Sequence, residues 1–149
     1  GAAKIGKYSM SKEELDASLR GFAQDYSTDK MRFKVKVTNS KIVFESSYKV
    51  LGHAVPLYVY FTPLVSESGA VVLQVSELSA GTLKLPILDA PNMIKRSTKL
   101  PDYIVIDSKK GKVILNIQSM KNDKGITARA QSFDLVNDRI EFDIYKTIN

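Results

Sequence analysis

The chain has 149 residues, of which 44% are hydrophobic, so it is long enough to bury a core and too apolar to be intrinsically disordered. It contains no cysteine, which excludes disulfides, thiolate metal sites and cysteine nucleophiles. The net charge is +6, and residues 1–50 hold ten Lys or Arg against six Asp or Glu, an excess that can attract an anionic membrane surface, wall polymer or nucleic acid.

The first residues show no apolar periodicity. We therefore expect residues 1–8 to be a linker or the end of a trimmed anchor, followed by one domain over residues 9–149. No apolar run approaches the roughly 20 residues that a membrane span needs.

The first predicted element is a helix over residues 12–26. Ser11 and Glu14 have the spacing of a capping box, in which each side chain binds the backbone N–H of the other residue. Apolar residues then recur at helical spacing and form one stripe: Leu15, Leu19, Phe22, Ala23 and Tyr26. This stripe predicts that the helix packs against a sheet.

Four strands are predicted next, over residues 31–37, 41–51, 54–62 and 71–78. The first alternates Met31, Phe33, Val35 and Val37 with basic residues, and the second places Ile42, Phe44, Tyr48 and Val50 on one face. Short turns between the strands imply antiparallel pairing. Because Phe33 points away from its basic neighbours, a charged edge strand is favoured over a nucleic-acid surface.

Residues 82–101 separate two groups of strands and contain three prolines. Proline lacks an amide donor, so Pro86, Pro91 and Pro101 exclude a central strand and predict a crossover with a short helix over residues 92–97.

A second meander is predicted after the crossover, with strands over residues 102–107, 112–120, 126–133 and 139–147. The predicted class is therefore α+β. An N-terminal amphipathic helix and a short crossover helix pack on a long, curved antiparallel β-sheet made of two meanders.

Several segments together resemble the YpmS-like family of Gram-positive membrane-anchored surface proteins over nearly the whole chain. They are the helix at 12–26, VPLYVYFTP, AGTLKLPI at 80–87, LPDYIVID at 100–107, and the closing FDLVNDRIEFDIY. The resemblance implies one membrane-spanning segment before an extracellular domain, and hence a location on the outer face of the cell membrane. It implies no defined activity.

No catalytic or metal-binding constellation is recognisable, so we predict a non-enzymatic protein without a cofactor. His53 is the single histidine, and no nucleophile elbow accompanies it. Four acids near the C-terminus do not have the spacing of a calcium loop, and we interpret them as a solvated strand face: Asp134, Asp138, Glu141 and Asp143.

The remaining apolar residues allow two interpretations, and the more specific of them is a ligand groove. Tyr58 and Tyr60 point away from the expected core, and Leu88, Met93 and Ile94 lie in the crossover. Together they predict a site for an apolar or lipid-like ligand, with an ordinary two-sided core as the alternative. The competing function is a protein-interaction or accessory module for an envelope enzyme, without a ligand cavity.

Overall fold

The computed structural model describes residues 1–29, 32–97 and 99–148. The elements in chain order are β1 (Ala2–Met10), α1 (Lys12–Tyr26), β2 (Phe33–Val37), β3 (Ile42–Val50), β4 (His53–Val65), β5 (Val71–Ala80), β6 (Leu83–Leu85), α2 (Ala90–Ser97), β7 (Ile104–Asp107), β8 (Lys112–Leu115), β9 (Ile126–Asp134) and β10 (Arg139–Thr147). Short 3-10 turns precede α2 and follow β8.

The strands form two antiparallel sheets. Seven strands make the larger sheet, in the order β2-β3-β4-β5-β8-β7, with β6 paired to β5. The smaller sheet has the order β1-β10-β9. The predicted α+β class, with antiparallel strands and two short helices, is confirmed. The strands of the second meander divide between the two sheets, because β7 and β8 join the first meander while β9 and β10 pair with β1.

Helix α1 begins and ends where the sequence predicts. Ser11 Oγ accepts a hydrogen bond from the backbone N–H of Glu14 at 3.1 Å, and the N–H of Ser11 donates to Glu14 Oε1 at 3.2 Å. The predicted capping box is therefore present and satisfies amide donors that the helix itself leaves unpaired. Leu15 and Ala23, both on the predicted stripe, are buried.

Aromatic side chains carry the packing of α1 onto the sheet. The ring centroids of Phe22 and Phe33 are 6.4 Å apart, and those of Phe33 and Phe44 are 5.0 Å apart. Tyr26 extends the row on the helix side, 4.5 Å from Phe22. The row therefore links the helix to β2 and β3, and aromatic pairs of this kind add to the free energy of burial.

Polar side chains of α1 and of its C-cap residue bind the edge of β2. Asp16 Oδ1 accepts from the backbone N–H of Val37 at 2.8 Å, and Ser27 Oγ accepts from the N–H of Phe33 at 3.1 Å. These bonds replace the partners that a neighbouring strand would supply. Strand β2 is thus an edge strand, as predicted, with the helix covering its edge.

The core is formed by α1 and the inward faces of β2 to β5 and β8, together with buried residues of α2 and of the smaller sheet such as Ile94 and Ile140. Along β4, Leu57, Val59 and Phe61 are buried, whereas Tyr58 and Tyr60 are only half-buried, as the alternation predicts. Leu78 lies opposite Val59 on β5, and both are fully buried.

The expectation that residues 1–8 form a linker is wrong, because Ala2–Met10 is a strand paired along the length of β10. Most of its side chains are exposed, so β1 lacks the buried apolar face that an alternating sequence pattern would reveal. The Nζ of Lys4 lies 3.2 Å from Asp143 Oδ1 on β10. Backbone hydrogen bonds and this ion pair, rather than an apolar pattern, hold the strand.

Strand β8 is shorter than predicted and ends at Leu115 instead of Met120. Leu115 lies opposite both Val71, the first residue of β5, and Ile104, the first of β7. Beyond it neither neighbour continues, and the chain turns at residues 117–119.

A few predicted details fall on residues that are not described. Met31, placed first in its strand by the alternation, lies outside the described residues, and so do the side chains of Tyr48 and Val50.

Removing the N-cap should destabilise the fold through α1. We expect Ser11→Ala to lower the free energy of unfolding by about 1 kcal/mol, because it leaves a helix amide without its acceptor. Urea unfolding followed by circular dichroism measures the change. Ser18→Ala, in the middle of the same helix, is the control and should have little effect, since alanine favours the helix interior. Equal losses in both variants would contradict a specific capping role.

Candidate functional site

An open groove of about 840 Å³ lies beside the edge strand β2. One wall is the second half of α1 with the residues that follow it, and the other is formed by β2 and the adjoining parts of β3 and β4. The lining residues are Arg20, Ala23, Gln24, Ser27, Thr28, Asp29, Arg32, Phe33, Lys34, Val35, Lys36, Val43, Glu45, Ser46, Ser47, Ala54 and Pro56.

The lining combines an apolar part with a charged part. Val43, Ala54 and Pro56 lie on the face of the sheet that carries the β2 lysines, and these residues form the apolar floor. Phe33 and Val35 also border the groove, but they alternate with the lysines and their side chains point to the core on the other face of β2. The rim carries four cations and two carboxylates, and these side chains are exposed or half-exposed. A groove with an apolar floor and an excess of positive charge suits a molecule that is apolar at one end and anionic at the other.

The rim cations differ in how closely carboxylates surround them. Arg20 is paired with Asp16 at 2.9 Å, and Arg32 lies 3.6 Å from Asp29. On β2, Lys34 faces Glu45 across the strand pair, whereas Lys36 faces Val43. Alternation along β2 places both lysines on one face of the strand, so their charges act together there.

Tyr58 and Tyr60, the predicted ligand residues on β4, are next to each other on the outer face. Their ring centroids are 6.5 Å apart, and both rings are half-buried. Their cross-strand neighbours on β5 are Ser79 and Glu77, so the surroundings are partly polar. The β2 groove includes neither tyrosine.

The three predicted residues of the crossover have different environments. Ile94 is 5% exposed and belongs to the core, and Met93 packs against that core while half-buried. Leu88 is 50% exposed, with its Cδ2 close to Gly111. The β2 groove contains none of them, so the five predicted residues do not meet in this groove.

Sequence reasoning missed the β2 groove although its signal was visible. The alternation of Phe33 and Val35 with Lys34 and Lys36 predicts an edge strand protected by charge. The opposite wall comes from α1 and the residues that follow it, and the sequence alone does not place the helix along that edge.

The C-terminal acids are bound within the fold, and the prediction of a solvated face is wrong for Asp143. Its side chain is buried beside Lys4. Asp138 Oδ1 accepts from the N–H of Lys12 at 2.8 Å and so holds the β9–β10 turn against the start of α1. Hydrogen bonds from the side chain and backbone of Asn137 lower the pKa of Asp134 below its ordinary value.

His53 is exposed at the start of β4. Among the described residues, no three histidine or carboxylate side chains come together to hold a metal ion. Within the same part of the chain, no helix is long and apolar enough to cross a bilayer.

Fold and site together define an α+β protein of two antiparallel sheets, with an open basic groove beside a helix-covered edge strand. The chain belongs to the YpmS-like family, because residues 2–146 match the family described as "Uncharacterized protein conserved in bacteria (DUF2140)". The chain is 25% identical over 134 residues to the uncharacterized protein YpmS of Bacillus subtilis (strain 168), which covers 90% of this chain and 71% of that protein. No solved structure matches the chain. The resemblance found in the sequence is therefore confirmed.

The crossover residues can be separated by their contributions to stability. We expect Ile94→Ala to lower the free energy of unfolding by about 2–5 kcal/mol, because it removes a buried side chain from a packed core. Leu88→Ala is the matched control and should cost less than about 1 kcal/mol, since half of that side chain is already in water. Chemical denaturation of both variants measures the difference. Similar losses at the two positions would contradict the described burial.

Proposed function

We propose that this protein is a non-enzymatic binding module for an anionic, lipid-like amphiphile held in the β2 groove. The observation that carries the proposal is the groove's lining, an apolar floor bordered by four cations and two carboxylates. The apolar residues of the sequence suggested an apolar or lipid-like ligand, and the cations of the groove add the anionic head group. Its site lies between α1 and β2 instead of at the crossover.

The dimensions of the groove suit part of such a molecule. Sites for small molecules occupy about 300–1,000 Å³, and this groove lies within that range. An acyl chain would contact Val43 and Pro56, which lie on the face of the sheet that carries Lys34 and Lys36. The anionic head group would lie near these two lysines. Hydrophobic burial would supply affinity, and the lysines would select anionic over zwitterionic head groups.

A second candidate function is a protein-interaction or accessory module for an envelope enzyme. A row of apolar residues on the outer face of the larger sheet favours it. Leu64, Val72, Ile114 and Val105 lie opposite one another across four adjacent strands, and Leu64 and Val105 are exposed. A partner that covered this row would bury it. The location of the protein on the outer face of the membrane stays a prediction.

Binding should depend on the two lysines of β2. We expect the double variant Lys34→Ala/Lys36→Ala to bind lysophosphatidylglycerol at least tenfold more weakly, because each cation near an anionic head group contributes about 1 kcal/mol. Displacement of a fluorescent fatty-acid probe from the 149-residue chain measures the affinity. Added salt should weaken binding of the parent chain more than that of the variant.

Lys121→Ala removes an exposed cation outside the groove lining and is the control for net charge. Lysophosphatidylcholine is the control for the head group and should bind the parent chain less tightly. The proposal is rejected if neither lysolipid displaces the probe. Equal losses in the groove and control variants would show that net charge, not the groove, attracts the lipid.

A further inference from the structure

The β3–β4 hairpin projects beyond both of its neighbouring strands. Ser46 and Leu57 form the last row that is shared, since Phe33 of β2 lies opposite Ser46 and Ala80 of β5 lies opposite Leu57. From Ser47 to Pro56 the strands β3 and β4 pair with each other, and the N–H of Gly81, just after β5, still donates to the carbonyl oxygen of Pro56 at 2.7 Å. Five residues separate that row from the tip, which corresponds to roughly 15 Å of projection.

The residue at the tip is poorly suited to its conformation and surroundings. Leu51 has a φ of +52° and Gly52 a φ of +81°, the combination of a type I′ turn, in which asparagine followed by glycine is favoured. A bulky side chain in this region is strained, and Leu51 is also 95% exposed. Neither local conformation nor core packing therefore explains leucine at this position. Strain of this kind suggests a role outside the fold.

The charge around the tip has one sign. Residues 47–56 contain no carboxylate, and the Lys49 side chain is exposed two residues from Leu51. At the base of the hairpin, Ser47, Ala54 and Pro56 line the end of the β2 groove, which carries Lys34 and Lys36. The projecting part thus presents one apolar side chain ahead of basic residues.

We propose that this tip docks on an anionic lipid bilayer, with Leu51 inserted at the interface and Lys49 among the head groups. Apolar insertion combined with neighbouring cations is the chemistry that binds such surfaces. A two-residue turn is too narrow to supply the roughly 800 Å² per partner of a stable protein interface. Docking would also bring one end of the β2 groove close to the head groups. The inference goes beyond the proposed function and does not require that the groove hold a ligand.

The test compares vesicle binding with folding stability. We expect Leu51→Asn to weaken binding of the 149-residue chain to vesicles of equal parts phosphatidylcholine and phosphatidylglycerol by about tenfold, because insertion of the leucine is lost. Its melting temperature should stay the same or rise, since asparagine tolerates the turn conformation. Lys49→Ala should weaken binding about fivefold, with little effect on vesicles of phosphatidylcholine alone. Co-sedimentation measures the binding.

Val136→Asn is the matched control, because Val136 is also in a strand-connecting turn and is 71% exposed. That turn adjoins the start of α1, and Asp16 near the start of this helix binds Val37, which lies opposite the first residue of β3. The hairpin projects from the last residue of β3, at the opposite end of that strand. Control binding should equal that of the parent chain. The proposal is overturned if the parent chain does not bind the vesicles, if Leu51→Asn binds as well as the parent, or if Leu51 proves necessary only for capture of a protein.

The two proposals fail separately. Leu51→Asn should bind monomeric lysophosphatidylglycerol as tightly as the parent chain, because Leu51 is not part of the groove lining. Vesicle binding that depends on Leu51, without any lysolipid binding, would reject the groove function and support docking. Lysolipid binding without vesicle binding would support the groove function and reject docking.

Discussion

The contact between α1 and the edge strand β2 is the constraint on which the proposed site depends. Asp16 and Ser27 accept hydrogen bonds from backbone N–H groups on the edge of β2 that is not paired with another described strand. The row of aromatic rings fixes the distance between helix and sheet. Without the helix, β2 would expose a row of unpaired backbone groups. With the helix in place, the same edge becomes one side of a groove whose lysines are held on a paired strand.

The groove and the hairpin are two ends of one continuous surface. Strand β3 contributes Val43 and Glu45 to the groove, then Ser47 at its end, and continues outward to the tip. A rigid, paired ribbon therefore connects the proposed ligand site with the proposed docking point. Such an arrangement fixes the orientation of the groove relative to any surface that the tip touches, since neither strand is interrupted between them.

Sequence reasoning succeeded where side chains alone determine the element. Periodicity and the capping box gave both bounds of α1, and alternation separated Val59 from Tyr58 and Tyr60. It failed for β1, whose strand depends on backbone pairing with β10 and leaves most side chains exposed. It also failed for the groove, because the position of α1 along β2 is a tertiary property. The limit of prediction from sequence is clearest in the crossover. Ile94 and Leu88 are both apolar, yet the exposed fraction of Leu88 is ten times that of Ile94.

Pairing of β1 with β10 makes the smaller sheet the most non-local part of the chain. Ala2 lies opposite Thr147, so the loop that this contact closes contains α1 and the whole of the larger sheet. The entropy cost of closing this loop must be overcome before the pairing can stabilise the fold. Such contacts therefore form later than local hairpins. During synthesis, β1 leaves the ribosome long before its partner exists. The larger sheet and α1 can therefore assemble first, and the smaller sheet completes the fold when β10 has been made.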